Sequence, residues 1–123
     1  MIRDFCFMAI NQFDINKFIS TTKSKYKNIL QTLIMEKSID YDNDNKEILH
    51  LITILIKKSQ RNKGYGNAVM SEIINFSNQY QIPIVLKASN LYGSDLNRLF
   101  TFYRKNDFFP IGDDKMKYLP KKI

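Results

Sequence analysis

Residues 47–56, EILHLITILI, form an almost unbroken aliphatic run in which only Glu47, His50 and Thr53 interrupt isoleucine and leucine. A run this rich in β-branched residues suits a strand buried on both faces, as in a mixed or parallel sheet. It is far short of the roughly 20 residues that span a bilayer. The strand opens directly into residues 57–66, KKSQRNKGYG, which carry Lys57, Lys58, Arg61, Lys63 and two glycines. An amphipathic helix is expected next, over 67–80, with Val69, Ile73, Phe76 and Tyr80 at helical spacing. Then "QIP" ends the helix, and IPIVLKA, 82–88, reads as a second strand. A strand–helix–strand unit of this length is a right-handed parallel crossover. The chain is therefore expected to be α/β.

The flanking sequence fills in the rest. A loop containing Gly93 leads to Ser94 and Asp95, either of them a good N-cap. Leu96, Leu99, Phe100 and Tyr103 then share a helical face, and KMKYL, 115–119, alternates as a closing strand. Ahead of the central run, RDFCFMAI, 3–10, suits a strand, and Asp14 can cap a helix carrying Ile15, Phe18 and Ile19. Tyr26, Ile29, Leu30, Leu33 and Ile34 repeat at helical spacing, which predicts a second helix over roughly 24–37. There Lys23, Lys25 and Lys27 would sit at a helix start, against the dipole. Residues 40–46 read as a polar, acidic turn. At 123 residues the chain is expected to form one domain, 1–123.

The formal charge of +7 favours anionic partners: nucleic acid, an anionic membrane surface or a polyphosphate cofactor. The aromatic–basic interleaving of common RNA-reading modules is missing, so nucleic acid is not the favoured partner. The lone Cys6 has no internal disulfide partner and reads as a small buried hydrophobe. No clustered metal ligands stand out, and no metal is expected. The first residues lack the apolar core and cleavage site of a secretory leader. The reading is a cytoplasmic chain with no membrane association.

A helix start preceded by glycines offers backbone amides to an anion, since glycine has no Cβ to hold a phosphate away. Two familiar phosphate loops fail here. No Lys-Ser/Thr follows the second glycine, and Val69 stands where a dinucleotide-binding loop needs a third small residue. What the segment does carry is R-x-x-G-x-G, from Arg61 to Gly66. Further along, LFTFYRKNDF, 99–108, matches an aromatic–tyrosine helix. Together the two motifs resemble the GNAT N-acetyltransferase superfamily over residues 47–119, with the short phage-type members nearest.

That resemblance implies an α/β (α+β) fold with a mixed, splayed central sheet flanked by helices and a shortened N-terminal portion. It also implies acetyl-CoA as cofactor and a primary amine as acceptor, with a protein lysine among the candidates. Arg61, Asn62, Lys63, Gly64, Tyr65, Gly66 and Asn67 would contact the cofactor pyrophosphate. The backbone of Leu55, Ile56 and Lys57 would pair with the pantetheine arm. Tyr103 matches the tyrosine that protonates the departing thiolate, and a phenol of pKa near 10 suits that task. His50, the only histidine, falls where histone-acetylating relatives carry a base; Glu47 is a weaker candidate. Two positions depart from the pattern: Asp107 replaces the glycine before the last phenylalanine, and Leu96 replaces an asparagine. The short N-terminal portion leaves the acceptor wall to be rebuilt or supplied by a second subunit, as in a homodimer. The rival reading is a catalytically inactive CoA-binding or protein-interaction module on the same fold, such as a host-defence inhibitor.

Overall fold

A computed structural model describes residues 10–41, 44–88, 96–112 and 114–122. The strand expected over 3–10 (Ile10 apart), Cys6, and the caps at Ser94 and Asp95 lie outside the described residues. In chain order the elements are α1 (Gln12–Lys25), β1 (Leu30–Asp40), β2 (Lys46–Ile56), α2 (Tyr65–Tyr80), β3 (Ile84–Lys87), α3 (Leu96–Lys105), β4 (Phe109–Pro110) and β5 (Lys115–Tyr118). The strands form one mixed sheet in the order β1-β2-β3-β5-β4. Only β2 and β3 run parallel, joined through α2; the other neighbours are antiparallel.

Helix α1 begins one turn before the expected cap. Asn11 accepts from the Asp14 amide at 2.9 Å and donates its own amide to the Asp14 carboxylate at 3.2 Å. This reciprocal box satisfies two otherwise orphan donors. Ile15 is buried, and Phe18 stacks on Phe76 of α2 with ring centroids 4.4 Å apart, so α1 and α2 lie side by side. Lys23 and Lys25 occupy the last turn of α1, where the dipole favours a cation. Their apparent conflict with a helix start disappears.

The helix expected over 24–37 is not formed. Residues Leu30–Asp40 are an 11-residue strand paired along its length with β2. The misleading feature is the first of two register slips, at Leu30/Thr32 and at Ile34/Met35. The first makes Gln31 an extra residue of β1 and shifts that strand's in–out alternation by one, whereas the second makes Ile52 an extra residue of β2. The buried positions consequently fall at Leu30, Leu33 and Met35, and an interval of three imitates a helix. Pairing with the isoleucine-rich β2 outweighs the local pattern. The wall ahead of β2 thus contains a full-length strand and a helix.

The remaining elements match the expected order. Helix α2 starts at Tyr65, two residues early, and buries Val69, Met70, Ile73 and Phe76. It ends at Gln81, which is left-handed at φ 52°. There the buried Ser77 hydroxyl donates to the Ile82 carbonyl at 2.5 Å. Strand β3 buries Ile84 and Leu86, and β5 buries Met116 and Tyr118. Ile73 is fully enclosed, so Ile73→Ala should cost about 2–5 kcal/mol, read as a lower urea midpoint at unchanged slope.

A polar clasp ties α1 to α2. Glu72 accepts from the Lys25 ammonium and, at 3.2 Å, from the Tyr26 hydroxyl. The Lys25 hydrogen bond holds the Glu72 carboxyl below its ordinary value; burial opposes it and the Tyr26 bond assists. A lowered carboxyl stabilises the fold above its unfolded-state pKa and loses that contribution as pH falls through the folded value. The difference in urea midpoint between wild type and Glu72→Gln should therefore shrink from neutral pH to about pH 3. A difference constant over that range would show that the clasp contributes nothing through charge.

One irregularity positions the site. Parallel pairing of β2 with β3 is limited to Leu49, His50 and Leu51 against Ile84, Val85 and Leu86. Beyond it β3 stays with β5, through Lys87 opposite Lys115 and the Ala88 amide bonded to the Asp114 carbonyl at 2.7 Å. Strand β2 stays with β1 as far as Ile56. The sheet is splayed between β2 and β3, and among the described residues no strand pairs with residues 52–56 on that edge.

Candidate functional site

Where β2 ends, the backbone is held on both sides. The Lys57 amide donates to the Ile29 carbonyl at 2.7 Å, and a single 3-10 turn follows over Lys58–Gln60. Arg61 folds back so that its Nε donates to the Ile56 carbonyl at 3.0 Å. Asn62 and Gly64 both take left-handed backbone, at φ 64° and 85°, which reverses the chain into α2. At Gly64 glycine is the residue this conformation favours. The helix starts there with no side-chain cap and no acidic residue in its first turn. Its leading amides and the positive end of its dipole are left for another acceptor.

Helix α3 runs along this loop at helical intervals. Arg98 Nη2 lies 3.3 Å from Asn62 Oδ1. Four residues on, the Phe102 ring sits 3.5 Å from where a Cβ on Gly66 would be. Asn106 Nδ2 is shared between the Phe102 carbonyl at 2.9 Å and Asn67 Oδ1 at 3.3 Å. The absence of a side chain at Gly66 is thus matched to an aromatic face, leaving a slot beside the helix start.

These elements enclose a cleft of about 480 Å³. The open edge of β2 contributes Ile54, Leu55 and Ile56; the loop and helix start contribute Gln60, Arg61, Asn62, Gly64, Gly66 and Asn67. From α3 come Arg98, Leu99, Phe102, Tyr103 and Lys105. Among the described residues its titratable groups are cations and one phenol. A larger, more open groove of about 740 Å³ follows α1 past Ser20, Lys23 and Lys27. It holds no side chain suited to acid–base work at neutral pH, whereas the smaller cleft is lined by Tyr103.

Tyr103 is 8% exposed and is packed against Phe102 and Phe108, with centroids 5.3 and 5.6 Å away. Burial alone pushes its phenol pKa up, so the group stays protonated through neutral pH. No fully buried side-chain oxygen is left without a partner among the described residues. Tyr103 lines the cleft, and its hydroxyl bonds to none of the described residues.

Eight of the twelve candidate residues come together here: Leu55, Ile56, Arg61, Asn62, Gly64, Gly66, Asn67 and Tyr103. Lys57, Lys63 and Tyr65 flank the cleft in sequence without lining it. His50 does not line it either. It stands one residue before the strands part, four residues from Ile54, a distance of about 13 Å along a strand. Its Nδ1 is 4.0 Å from Glu36 Oε1, and its side chain is partly exposed. Glu47 pairs with Lys37 at 3.0 Å, nearer the far end of β2. Sequence reasoning missed Arg98, Phe102 and Lys105. Their spacing of four and three residues was visible as a stripe on α3, but nothing in the sequence tied that stripe to the loop.

No family model matches the sequence, and no sequence match to a curated protein was found. Similarity to solved structures is clear. The chain resembles PH1933 from Pyrococcus horikoshii OT3 with TM-score 0.60 and 13% identity, over 85% of this chain and 73% of that one. AtaTR bound with acetyl-CoA gives 0.56 and 16%, over 85% and 78%. The anti-CRISPR protein AcrVA5 gives 0.53 and 18%, over 70% and 88%. The fold is GNAT-like. At such identities the likeness concerns the fold. Among the described residues no helix is long and apolar enough to cross a membrane.

Proposed function

We propose that the protein is an N-acetyltransferase that moves an acetyl group from acetyl-CoA to a primary amine in a ternary complex. One observation carries the reading: the sheet opens beside an uncapped, glycine-led helix start, and a protonated tyrosine is among the residues that line the opening. The residues present fit the cofactor. Amides at the start of α2, with Gly64 and Gly66 offering no side-chain bulk, suit a diphosphate. The unpaired edge of residues 52–56 suits the amide-bearing pantetheine arm, taken up as an added strand. AtaTR, with acetyl-CoA bound, supports this choice of ligand.

When bound, acetyl-CoA supplies a thioester carbonyl open to attack by an amine. The chain's own groups then divide the work. The register slip makes Ile52 an extra residue of β2; an extra residue of this kind lies outside the ladder, and its amide would be a fixed donor that stabilises oxygen as charge develops on it. Tyr103 gives its proton to the departing sulfur. The amine's proton leaves through water at the head of the split, with His50 receiving it across that water. The acceptor class is a primary amine, including the side chain of a protein lysine.

The test is incubation with acetyl-CoA and a panel of amines and lysine-bearing proteins. Free thiol should appear one-for-one with acetylated amine. Uptake of CoA without transfer to any acceptor would instead identify a CoA-binding module that does no chemistry.

A further inference from the structure

We propose that Arg98 is the residue that reads a phosphate group of the cofactor, and that Asn62 holds it in place until that phosphate arrives. The inference rests on acetyl-CoA occupying the cleft. It begins with Arg61, the cation that the loop motif would put on the pyrophosphate. In this chain the Arg61 Nε is committed to the Ile56 carbonyl. That bond ties the loop to the end of β2 and uses part of the planar fork with which a guanidinium grips phosphate.

Arg98 is placed differently. It comes from α3, across the cleft from β2, and its one side-chain hydrogen bond among the described residues, at 3.3 Å, goes to a neutral side-chain oxygen. That oxygen belongs to Asn62, two residues before Gly64. A guanidinium exchanges a long bond to a neutral amide for a charge-assisted pair with phosphate at a clear gain. Its neighbours suit this exchange. Phe102, one turn on, faces the glycine that opens the slot, and Lys105 lines the same cleft further along, with no carboxylate among the described lining residues to compete. CoA carries phosphate both as the diphosphate and as the 3′-phosphate. The recognition chemistry is shared, and the experiment separates the two.

Calorimetric titration of CoA and dephospho-CoA into wild type, Arg98→Gln and Arg98→Lys tests the proposal. Arg98→Gln should bind CoA about tenfold more weakly, and its affinity should fall less steeply with added salt than that of wild type. Arg98→Lys should recover part of the loss, since it keeps the charge without the fork. A Gln effect that persists with dephospho-CoA assigns Arg98 to the diphosphate; one that vanishes assigns it to the 3′-phosphate. Equal affinity and salt dependence in wild type and Arg98→Gln overturns the proposal while leaving the cofactor reading intact. So does an equal loss in both variants with a lowered melting temperature, which marks a purely structural tie. Wild type that takes up no CoA at all refutes the underlying reading instead.

Discussion

Tyr103→Phe is expected to lower kcat about a hundredfold or more and to leave the acetyl-CoA KM nearly unchanged. The substitution keeps the ring that packs on Phe102 and Phe108 and removes only an oxygen bonded to no described residue. Stability should therefore be preserved, which separates lost chemistry from lost folding. The direction of the pKa change supports the acid role over a base role. Burial favours the neutral phenol, so the proton is present throughout the neutral range and is surrendered only to a strong base such as a nascent thiolate. A kcat and KM both equal to wild type would show that the hydroxyl has no part in the reaction. A kcat unchanged with a raised KM would make it a binding contact.

The second large effect is expected at Gly66. An added Cβ would stand 3.5 and 3.6 Å from two atoms of the Phe102 ring, an ordinary contact, so Gly66→Ala should bind CoA nearly as wild type does. Gly66→Leu carries branches beyond that point, into the slot or into a ring already backed by Tyr103. Its CoA affinity should drop at least about a hundredfold, some 2.7 kcal/mol. Leucine is a better helix former than glycine, so unfolding of α2 does not explain such a loss. Retained affinity in Gly66→Leu would mean that the ligand stays away from the helix start. Gly64 is constrained for a different reason. Nothing lies within 4 Å of its Cβ position, but φ is 85°, so Gly64→Ala costs about 1 kcal/mol or more in backbone strain without filling the slot.

From residue 47 onward the order of elements was legible because each was written in local terms. The aliphatic run, the glycine-led helix start and the period of Val69, Ile73 and Phe76 are properties of neighbouring residues. The segment containing Leu30, Leu33 and Met35 was not legible. Its face is set by the bulge at Gln31, and a bulge is decided by the partner strand. The site divided along the same line. Gly64, Gly66, Arg61 and Tyr103 belong to contiguous motifs and could be named from them. Arg98 and Phe102 reach the site only because α3 lies along the loop, a placement that depends on the return of β5 to β3. The splay itself was expected from the resemblance alone. The point at which it begins, after Leu51 and Leu86, required the strand register.

The central claim is that CoA lies between the unpaired edge of β2 and the start of α2. Backbone amide chemical shifts of isotope-labelled protein, followed during titration with CoA, test it most directly. The account expects the largest changes at residues 53–57 and 64–67, with the α1 groove past Ser20 and Lys23 unaffected. Saturable shifts concentrated elsewhere, or none at millimolar CoA, would contradict it.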